Sequence, residues 1–171
     1  MTSRSDRPFD IIVFGATSFV GEILCRYLVA RHGTDDDLAW AIAGRNEAKL
    51  AALAEATGAD VSRIVADASD ADAMTRLAES TRLVISTVGP YALYGSELVA
   101  ALAAAGTDSV DLTGEPQWMQ RMIDTHSTTA EASGARIVHT CGFDSIPSDL
   151  GVWFTQGQAS ARFDEPCTAI A

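Results

Sequence analysis

Short apolar runs alternate with segments of helical periodicity along most of the chain. The runs predict strands that are buried on both faces, at residues 10–14, 38–43, 61–66, 83–87, 109–112 and 136–139. Alternating strands and helices predict the α/β class, with a doubly wound parallel sheet of the Rossmann type. Helical spacing predicts these core positions in the intervening segments: Val20, Ile23, Leu24, Tyr27, Leu28, Leu50, Leu53, Ala54, Leu98, Leu102 and Ala105.

The ends of the helical segments carry their own signals. A last helix is predicted to begin near Pro147, and residues 160–171 are predicted to form a loop. No closing element follows, so we expect either a fragment or a last helix that packs on a partner. Four glycines follow helical segments, where left-handed C-caps are common: Gly33, Gly58, Gly106 and Gly134.

Composition narrows the class of protein. The chain has 171 residues, of which 47% are hydrophobic, and 12 Lys and Arg against 23 Asp and Glu give a net charge of −11. These values predict one soluble globular domain. Because phosphate-backbone affinity depends on clustered Lys and Arg, nucleic acid and anionic membrane are disfavoured as partners.

The spacing of the cysteines and the hydropathy of the chain indicate the cellular compartment of the protein. Cys25, Cys141 and Cys167 are widely separated and form no CxxC pair, which favours a reducing cytoplasm over a disulfide framework. His32 and His126 read as helix-surface residues, so no metal site is predicted. The polar N-terminus is not a signal peptide, and no apolar run approaches the roughly 20 residues that cross a bilayer. We therefore expect no stable membrane insertion.

The first predicted strand leads directly into the sequence GATSFVG and then a helix. In dinucleotide-binding folds this position holds the pyrophosphate, because glycine permits the turn and N–H groups at the helix N-terminus face the phosphate charge. A glycine turn that only connects strand to helix is the alternative. The candidate cofactor residues of this loop are Gly15, Ala16, Thr17, Ser18, Phe19, Val20 and Gly21.

The second strand ends at Gly44, and Arg45 follows where an NAD enzyme usually places a carboxylate for the ribose 2′-hydroxyl. A guanidinium attracts a 2′-phosphate, so this position favours NADP(H) over NAD(H). A solvated surface arginine is the alternative. Asn46 is expected to share the contact, and Asp67, with Ala68, is expected either to border the adenine pocket or to cap a helix.

Three later segments place polar or aromatic groups at the same predicted sheet edge. After the fourth strand come Val88, Gly89 and Pro90, which are expected near the nicotinamide, followed by Tyr91 and Tyr94. Either tyrosine is a proton donor or a packing residue. The carboxylates Asp111, Glu115 and Asp144 are possible acid–base groups. Either Ser145 or Ser148 is expected to cap the last helix, and Cys141 is disfavoured as a nucleophile.

Together the motifs at residues 15–21, 43–45, 87–95, 111–115 and 142–151 resemble the saccharopine dehydrogenase-like oxidoreductases. The likeness is strongest to the mycobacterial branch of trans-acting enoyl reductases, which act in lipid and polyketide assembly. One departure is Ser18, where the family usually has glycine. The resemblance implies a second α+β domain after the nucleotide-binding domain. We therefore divide the chain into a dinucleotide-binding domain at 1–157 and a tail at 158–171 that begins an absent substrate or dimerisation domain.

The resemblance implies an NADP(H)-dependent oxidoreductase that reduces an enoyl group on a small-molecule or carrier-linked acyl substrate. Tyr94 and Asp144 are the predicted catalytic residues. Two alternatives stay open, a saccharopine-type amino-acid or imine dehydrogenase and a non-catalytic NADP-binding sensor or interaction domain. A homo-oligomer is also compatible with the sequence.

Overall fold

The computed structural model describes residues 6–34 and 38–170, in which six strands alternate with seven helices. Each predicted strand is present, with its ends displaced by at most two residues. The elements are β1 (Phe9–Phe14), α1 (Phe19–His32), β2 (Trp40–Gly44), α2 (Glu47–Thr57), β3 (Ser62–Val65), α3 (Ala71–Glu79), β4 (Thr81–Ser86), α4 (Tyr91–Tyr94), α5 (Ser96–Ala105), β5 (Asp108–Asp111), α6 (Pro116–Ser133), β6 (Ile137–Val138) and α7 (Ile146–Phe163).

The strands form one parallel sheet in the order β3-β2-β1-β4-β5-β6. Strand order reverses between β1 and β4, where Val13 pairs with Ile42 on one side and with Ile85 on the other. The predicted doubly wound sheet is thus confirmed. Ligands of such sheets bind beyond the carboxyl ends of the strands at this reversal. A ligand site is therefore expected at the loops after β1 and β4.

Side-chain alternation along β1 divides the core between the two faces of the sheet. Ile12 and Phe14 point to the face covered by α3 and α5, where Met74, Leu77 and Leu102 pack. Val13 points to the opposite face and joins the cluster that α1 and α2 complete, which includes Cys25, Leu28, Leu50 and Leu53. This two-sided burial holds β1 rigidly at the centre of the domain.

The burial predictions were wrong at the sheet edges and on α1. In β3, Ser62, Arg63 and Val65 are exposed, because an edge strand is paired and covered on fewer sides. On α1 the buried face carries Gly21, Cys25 and Leu28, whereas three predicted core residues point outward. The small residues Gly21 and Cys25 let this helix approach the sheet. The three residues that lie on the far side are Val20, Ile23 and Tyr27.

The predicted helix near Pro147 is confirmed as α7, but the predicted loop from residue 160 is wrong up to Phe163, where the helix ends. Ser145 precedes α7 without making a side-chain capping bond and Ser148 lies within the helix, so the predicted capping role is wrong for both serines. The proposed boundary at 157/158 falls inside this helix, and the domain division stays a prediction. The divided ranges also include residues 1–5, 35–37 and 171, which lie outside the described residues.

Glycine ends most of the helices as predicted. Gly58, Gly106 and Gly134 adopt left-handed backbone at the C-caps of α2, α5 and α6. Gly33 also has a positive φ but an extended ψ, so it ends α1 in a different conformation. Across 6–34 and 38–170, no helix is both long enough and apolar enough to cross a bilayer.

Candidate functional site

A cleft of about 260 Å³ lies at the carboxyl ends of the four strands β3, β2, β1 and β4. It therefore crosses the point where the strand order reverses, as the sheet topology predicts. The residues that line it come from the ends of these strands and the segments that follow them: Phe14, Gly15, Thr17, Ser18, Gly44, Arg45, Ala66, Asp67, Ala68, Thr87, Val88, Gly89 and Tyr94.

Gly15 turns the chain between β1 and α1 in a conformation that other residues rarely adopt. Its φ is +84°, and its N–H donates a 2.9 Å hydrogen bond to the carbonyl oxygen of Ala43. A Cβ built on Gly15 would lie 2.7 Å from Cγ2 of Val88 and 2.8 Å from Oγ1 of Thr87. Both the backbone angle and the space around it therefore require glycine.

Gly21 brings the first turn of α1 against the loop that follows β1. A Cβ at this position would lie 2.5 Å from the carbonyl oxygen of Gly15 and 2.6 Å from that of Ala16. These neighbours are backbone atoms, which cannot rotate away as a side chain would. The helix N-terminus is thus held directly behind the glycine loop, where its N–H groups can face an anion.

Ser18 is the N-cap of α1 and adopts ordinary extended backbone, with φ −77°, so this position accepts a side chain. Its hydroxyl accepts a 3.0 Å bond from the Gly21 N–H and lies 2.9 Å from Oγ1 of Thr87. Because the Thr87 hydroxyl donates to the carbonyl oxygen of Gly15 at 2.9 Å, Ser18 is the donor to Thr87. This chain of hydrogen bonds ties α1 to the loops after β1 and β4.

The side of the cleft formed by the segments after β2 and β3 carries one positive and one negative side chain. Arg45 is exposed directly after β2, and Asp67 lies across from it at the end of β3. Hydrogen bonds from the Ser69 N–H (2.9 Å) and hydroxyl (2.7 Å) hold the pKa of Asp67 below its usual value, and the charge of Arg45 adds to this effect. Arg45 is thus placed to meet an anionic ligand.

Two polar residues close to Arg45 and Asp67 in the chain are helix N-caps. Asn46 caps α2, and its side-chain oxygen accepts a 3.0 Å bond from the Lys49 N–H. Asp70, rather than Asp67, caps α3 by accepting a bond from the Ala73 N–H. The alternative of Asp67 as a helix cap is therefore wrong, whereas its expected position beside the cleft agrees with the geometry.

The two tyrosines after β4 have different environments. Tyr91 is buried, and its hydroxyl donates to the Ser86 carbonyl oxygen at 3.0 Å and accepts from the Leu112 N–H at 3.1 Å. Burial raises the pKa of Tyr91 to about 12. Tyr94 is 40% exposed and lines the cleft. Tyr91 is therefore the packing residue of the pair, and Tyr94 is open to a ligand.

Asp111 and Glu115 hold loops together at the same edge of the sheet. Asp111 accepts bonds from Nδ1 of His139 at 2.6 Å and from the backbone N–H groups of Thr113 and Thr140. Glu115 accepts bonds from the Tyr91 and Ala92 N–H groups at 2.7 and 2.9 Å. Neither carboxylate lines the cleft, so these two candidate acid–base groups act as internal acceptors.

The segment between β6 and α7 carries the remaining candidates. Asp144 is exposed in the turn before α7 and does not line the cleft. Burial and nearby Asp111 raise the pKa of the Cys141 thiol, which disfavours the nucleophilic thiolate. In 6–34 and 38–170, no group of three or more His, Cys, Asp or Glu side chains is arranged to hold a metal ion.

Of the fourteen residues that the sequence suggested for the cofactor, eight line the cleft, and other lining residues were missed. Thr87 was missed, although a hydroxyl residue directly after β4 could have indicated a contact with the glycine loop. Six candidates lie outside the lining, because Ala16 and Gly21 are buried behind the loop and the others point elsewhere or serve as caps: Ala16, Phe19, Val20, Gly21, Asn46 and Pro90. Gly44 and Ala66 were also missed, since small residues carry no chemical signal.

The order of the parallel strands and the glycine loop at their reversal define a dinucleotide-binding domain of the Rossmann type. Residues 11–138 match the family described as Saccharopine dehydrogenase NADP binding domain, and the chain belongs to that family. This membership confirms the predicted family and the predicted cofactor, NADP(H). The residues present fit this cofactor, because Gly15 and Gly21 let the loop after β1 pack closely against the first turn of α1, and the exposed Arg45 offers a cation at the same cleft.

Three relatives illustrate the similarity. A Mycobacterium tuberculosis protein provisionally named trans-acting enoyl reductase is 49% identical over 154 residues, covering 88% of this chain and 36% of its own length. The trans-acting enoyl reductase of Mycobacterium leprae is 44% identical over the same shares. A lipid droplet localized protein of Caenorhabditis elegans is 40% identical over 85% of this chain and 36% of its own. The chain thus spans about a third of the length of these relatives.

Solved structures support the fold. Saccharopine dehydrogenase (L-Glu forming) of Saccharomyces cerevisiae superimposes with a TM-score of 0.68 at 19% identity, over 90% of this chain and 32% of that one. The NADPH complex of leucoanthocyanidin reductase from Vitis vinifera gives a TM-score of 0.54 at 20% identity, over 76% of this chain and 48% of its own. At these identities the likeness establishes the sheet architecture.

Proposed function

We propose that this domain holds the cofactor of an NADP(H)-dependent oxidoreductase that reduces an enoyl double bond on a lipid or polyketide intermediate. The proposal is carried by one observation: the cleft is lined by both the glycine loop after β1 and Arg45 after β2. The chain that forms this cleft belongs to an NADP-binding family. The names of the mycobacterial relatives support the reaction class.

In the proposed complex the pyrophosphate lies against the loop after β1. Gly15 lines the cleft and permits the turn, and the N-terminal turn of α1 contributes N–H groups and the positive end of its dipole. Thr17 and Ser18 line the cleft there, although the Ser18 hydroxyl is already engaged with Gly21 and Thr87. Ser18 therefore contributes by fixing the loop, and Thr17 is the free hydroxyl donor.

Arg45 is the proposed partner of the adenosine 2′-phosphate. It lies after β2 at the offset where NAD enzymes place a carboxylate, and a guanidinium forms paired hydrogen bonds with phosphate oxygens. Asp67 and Ala68 line the cleft beside it and are proposed to border the adenosine. Asn46 is proposed to contribute through its amide nitrogen, since its oxygen caps α2.

The nicotinamide half is proposed to extend past Val88 and Gly89, beside the loop that carries Tyr94. NADP(H), when bound, supplies the hydride for reduction of the substrate. Reduction of a conjugated double bond also needs a proton at the neighbouring carbon, and Tyr94 is the proposed donor because its side chain is partly exposed in the cleft. Asp144 remains a second proposed donor, although it does not line the cleft.

The substrate is proposed to be a small-molecule or carrier-linked acyl group. The proposal also places the protein in the cytoplasm, consistent with its separated cysteines, and allows a homo-oligomer. Leu150, Trp153 and Phe154 are exposed along α7 and are available for packing against other protein surfaces.

Calorimetric titration with NADPH and NADH tests the cofactor site. We expect NADPH to bind at least about tenfold more tightly, equivalent to about 1.4 kcal/mol. Arg45→Ala should abolish this preference, because it should weaken the binding of NADPH while leaving the binding of NADH nearly unchanged. Arg121→Ala, which removes an exposed arginine on α6, is the matched control for net charge. An unchanged preference in Arg45→Ala would contradict the assignment of the 2′-phosphate.

Turnover of the whole protein tests the reaction. With an enoyl thioester as substrate, we expect NADPH oxidation matched by formation of the saturated thioester. Tyr94→Phe should lower kcat while the Kd for NADPH stays unchanged, because the hydroxyl is proposed to deliver a proton. Stoichiometric NADPH binding without turnover of enoyl or imine substrates would favour a sensor or interaction domain.

A further inference from the structure

Glu115 joins two loops at the carboxyl edge of the sheet. Its carboxylate accepts one hydrogen bond from the Tyr91 N–H (2.7 Å) and a second from the Ala92 N–H (2.9 Å). Its own N–H donates to Oγ1 of Thr113 at 3.2 Å, and α6 begins at the next residue. One half-buried side chain thus connects the start of α6 to the start of α4.

The first turn of α4 depends on this carboxylate. Pro90 occupies the N-cap position and makes no side-chain capping bond, so Glu115 supplies the acceptor that a Ser or Asp cap would otherwise provide. Hydrogen bonds with an ionised acceptor are stronger than neutral ones. Beneath the same turn, the Tyr91 ring packs on Trp118 with the ring centroids 5.6 Å apart. The turn is therefore fixed from both sides.

The segment that Glu115 anchors forms one wall of the cleft. Val88 and Gly89 precede the anchored N–H groups and Tyr94 follows them, and all three line the cleft. This wall lies on the β4 side of the strand reversal, whereas Arg45 and Asp67 lie on the β2 and β3 side. A displacement of α4 would therefore act first on the β4 side of the cleft.

We infer that Glu115 is a positioning residue that sets the wall of the cleft facing the nicotinamide half of the cofactor. This inference rests on the proposed cofactor site and adds a residue that lies outside the cleft. Loss of the Glu115 hydrogen bonds should weaken the binding of ligands that extend past Gly89. Ligands that occupy only the Arg45 side should be unaffected, because the hydrogen bonds of Glu115 go to Tyr91, Ala92 and Thr113 and not to the loop after β2.

Two ligands distinguish these halves in a calorimetric test. NADPH spans the whole cleft, and adenosine 2′,5′-bisphosphate represents the adenosine half with its 2′-phosphate. We expect Glu115→Gln, which keeps the size of the side chain but removes its charge, to weaken NADPH about fivefold or more. The affinity of Glu115→Gln for the bisphosphate should stay within about twofold of the unsubstituted chain, since the proposed phosphate contact at Arg45 does not involve the loop that Glu115 anchors. Glu55→Gln, on the exposed face of α2, is the control for loss of one negative charge and should change neither Kd.

The possible outcomes separate the inference from the cofactor proposal. Failure of the unsubstituted chain to bind NADPH would refute the proposed cofactor site itself. Normal binding in that chain together with unchanged NADPH affinity in Glu115→Gln would overturn the role of Glu115 alone. Equal loss of both ligands, or loss of the folded protein in thermal denaturation, would also overturn it, because Glu115 would then support the whole domain. A selective loss of NADPH affinity supports the inference.

Discussion

Substitution of Gly21 by alanine tests the contact between α1 and the glycine loop. The added Cβ would lie 2.5 Å from the carbonyl oxygen of Gly15, whereas ordinary contacts begin near 3.4 Å. The first turn of α1 must therefore withdraw by about 0.9 Å, because the opposing atoms belong to the backbone of Gly15 and Ala16. Such a shift moves the helix N-terminus away from the proposed pyrophosphate position.

The magnitude follows from two opposing effects. Overpacking costs about 1–3 kcal/mol, and alanine gains up to about 1 kcal/mol over glycine in helix propensity. We expect Gly21→Ala to lower the free energy of unfolding by up to about 2 kcal/mol. NADPH binding should weaken by about tenfold, since the helix N–H groups and dipole act over a short range.

Urea denaturation and calorimetric titration measure the two effects separately. Gly157→Ala is the matched control, because Gly157 lies within α7 with nothing within 4 Å of its added Cβ. This control should raise stability by about 0.5–1 kcal/mol and leave NADPH binding unchanged. If Gly21→Ala behaved like Gly157→Ala in both assays, the proposed role of the close helix approach would be refuted.

Two further predictions concern buried titratable groups. In an ultraviolet titration of the three tyrosines, Tyr91 should ionise near pH 12, and its stabilising effect should be complete below pH 10 and lost as pH rises through about 12. Ionisation of all three near pH 10 would contradict its burial. Burial raises the pKa of Cys25 to about 11, so peptide mass spectrometry should find its thiol unmodified by an alkylating reagent until denaturation, while partly exposed Cys167 reacts. Equal labelling of both in the folded protein would argue against that environment.

The proposed cofactor loop could be located from sequence because its signals are local. Gly15 follows an apolar strand and precedes a helix, and Arg45 follows the next strand, so position along the chain already indicates position on the sheet edge. The structure places both in one cleft. Sequence alone did not separate the roles of Asp111 and Glu115, because a carboxylate reads as a possible acid or base until its hydrogen-bond partners are known.

The sequence by itself determined the number, order and approximate bounds of the strands, since apolar runs and helical periodicity arise from neighbouring residues. It also indicated the class of fold, because strands and helices that alternate favour a parallel sheet. Only the tertiary structure decided which face of α1 is buried and which tyrosine is open to the cleft. These properties depend on contacts between residues far apart in the chain, such as Tyr91 with Leu112 and Gly15 with Val88, whose geometry no local pattern specifies.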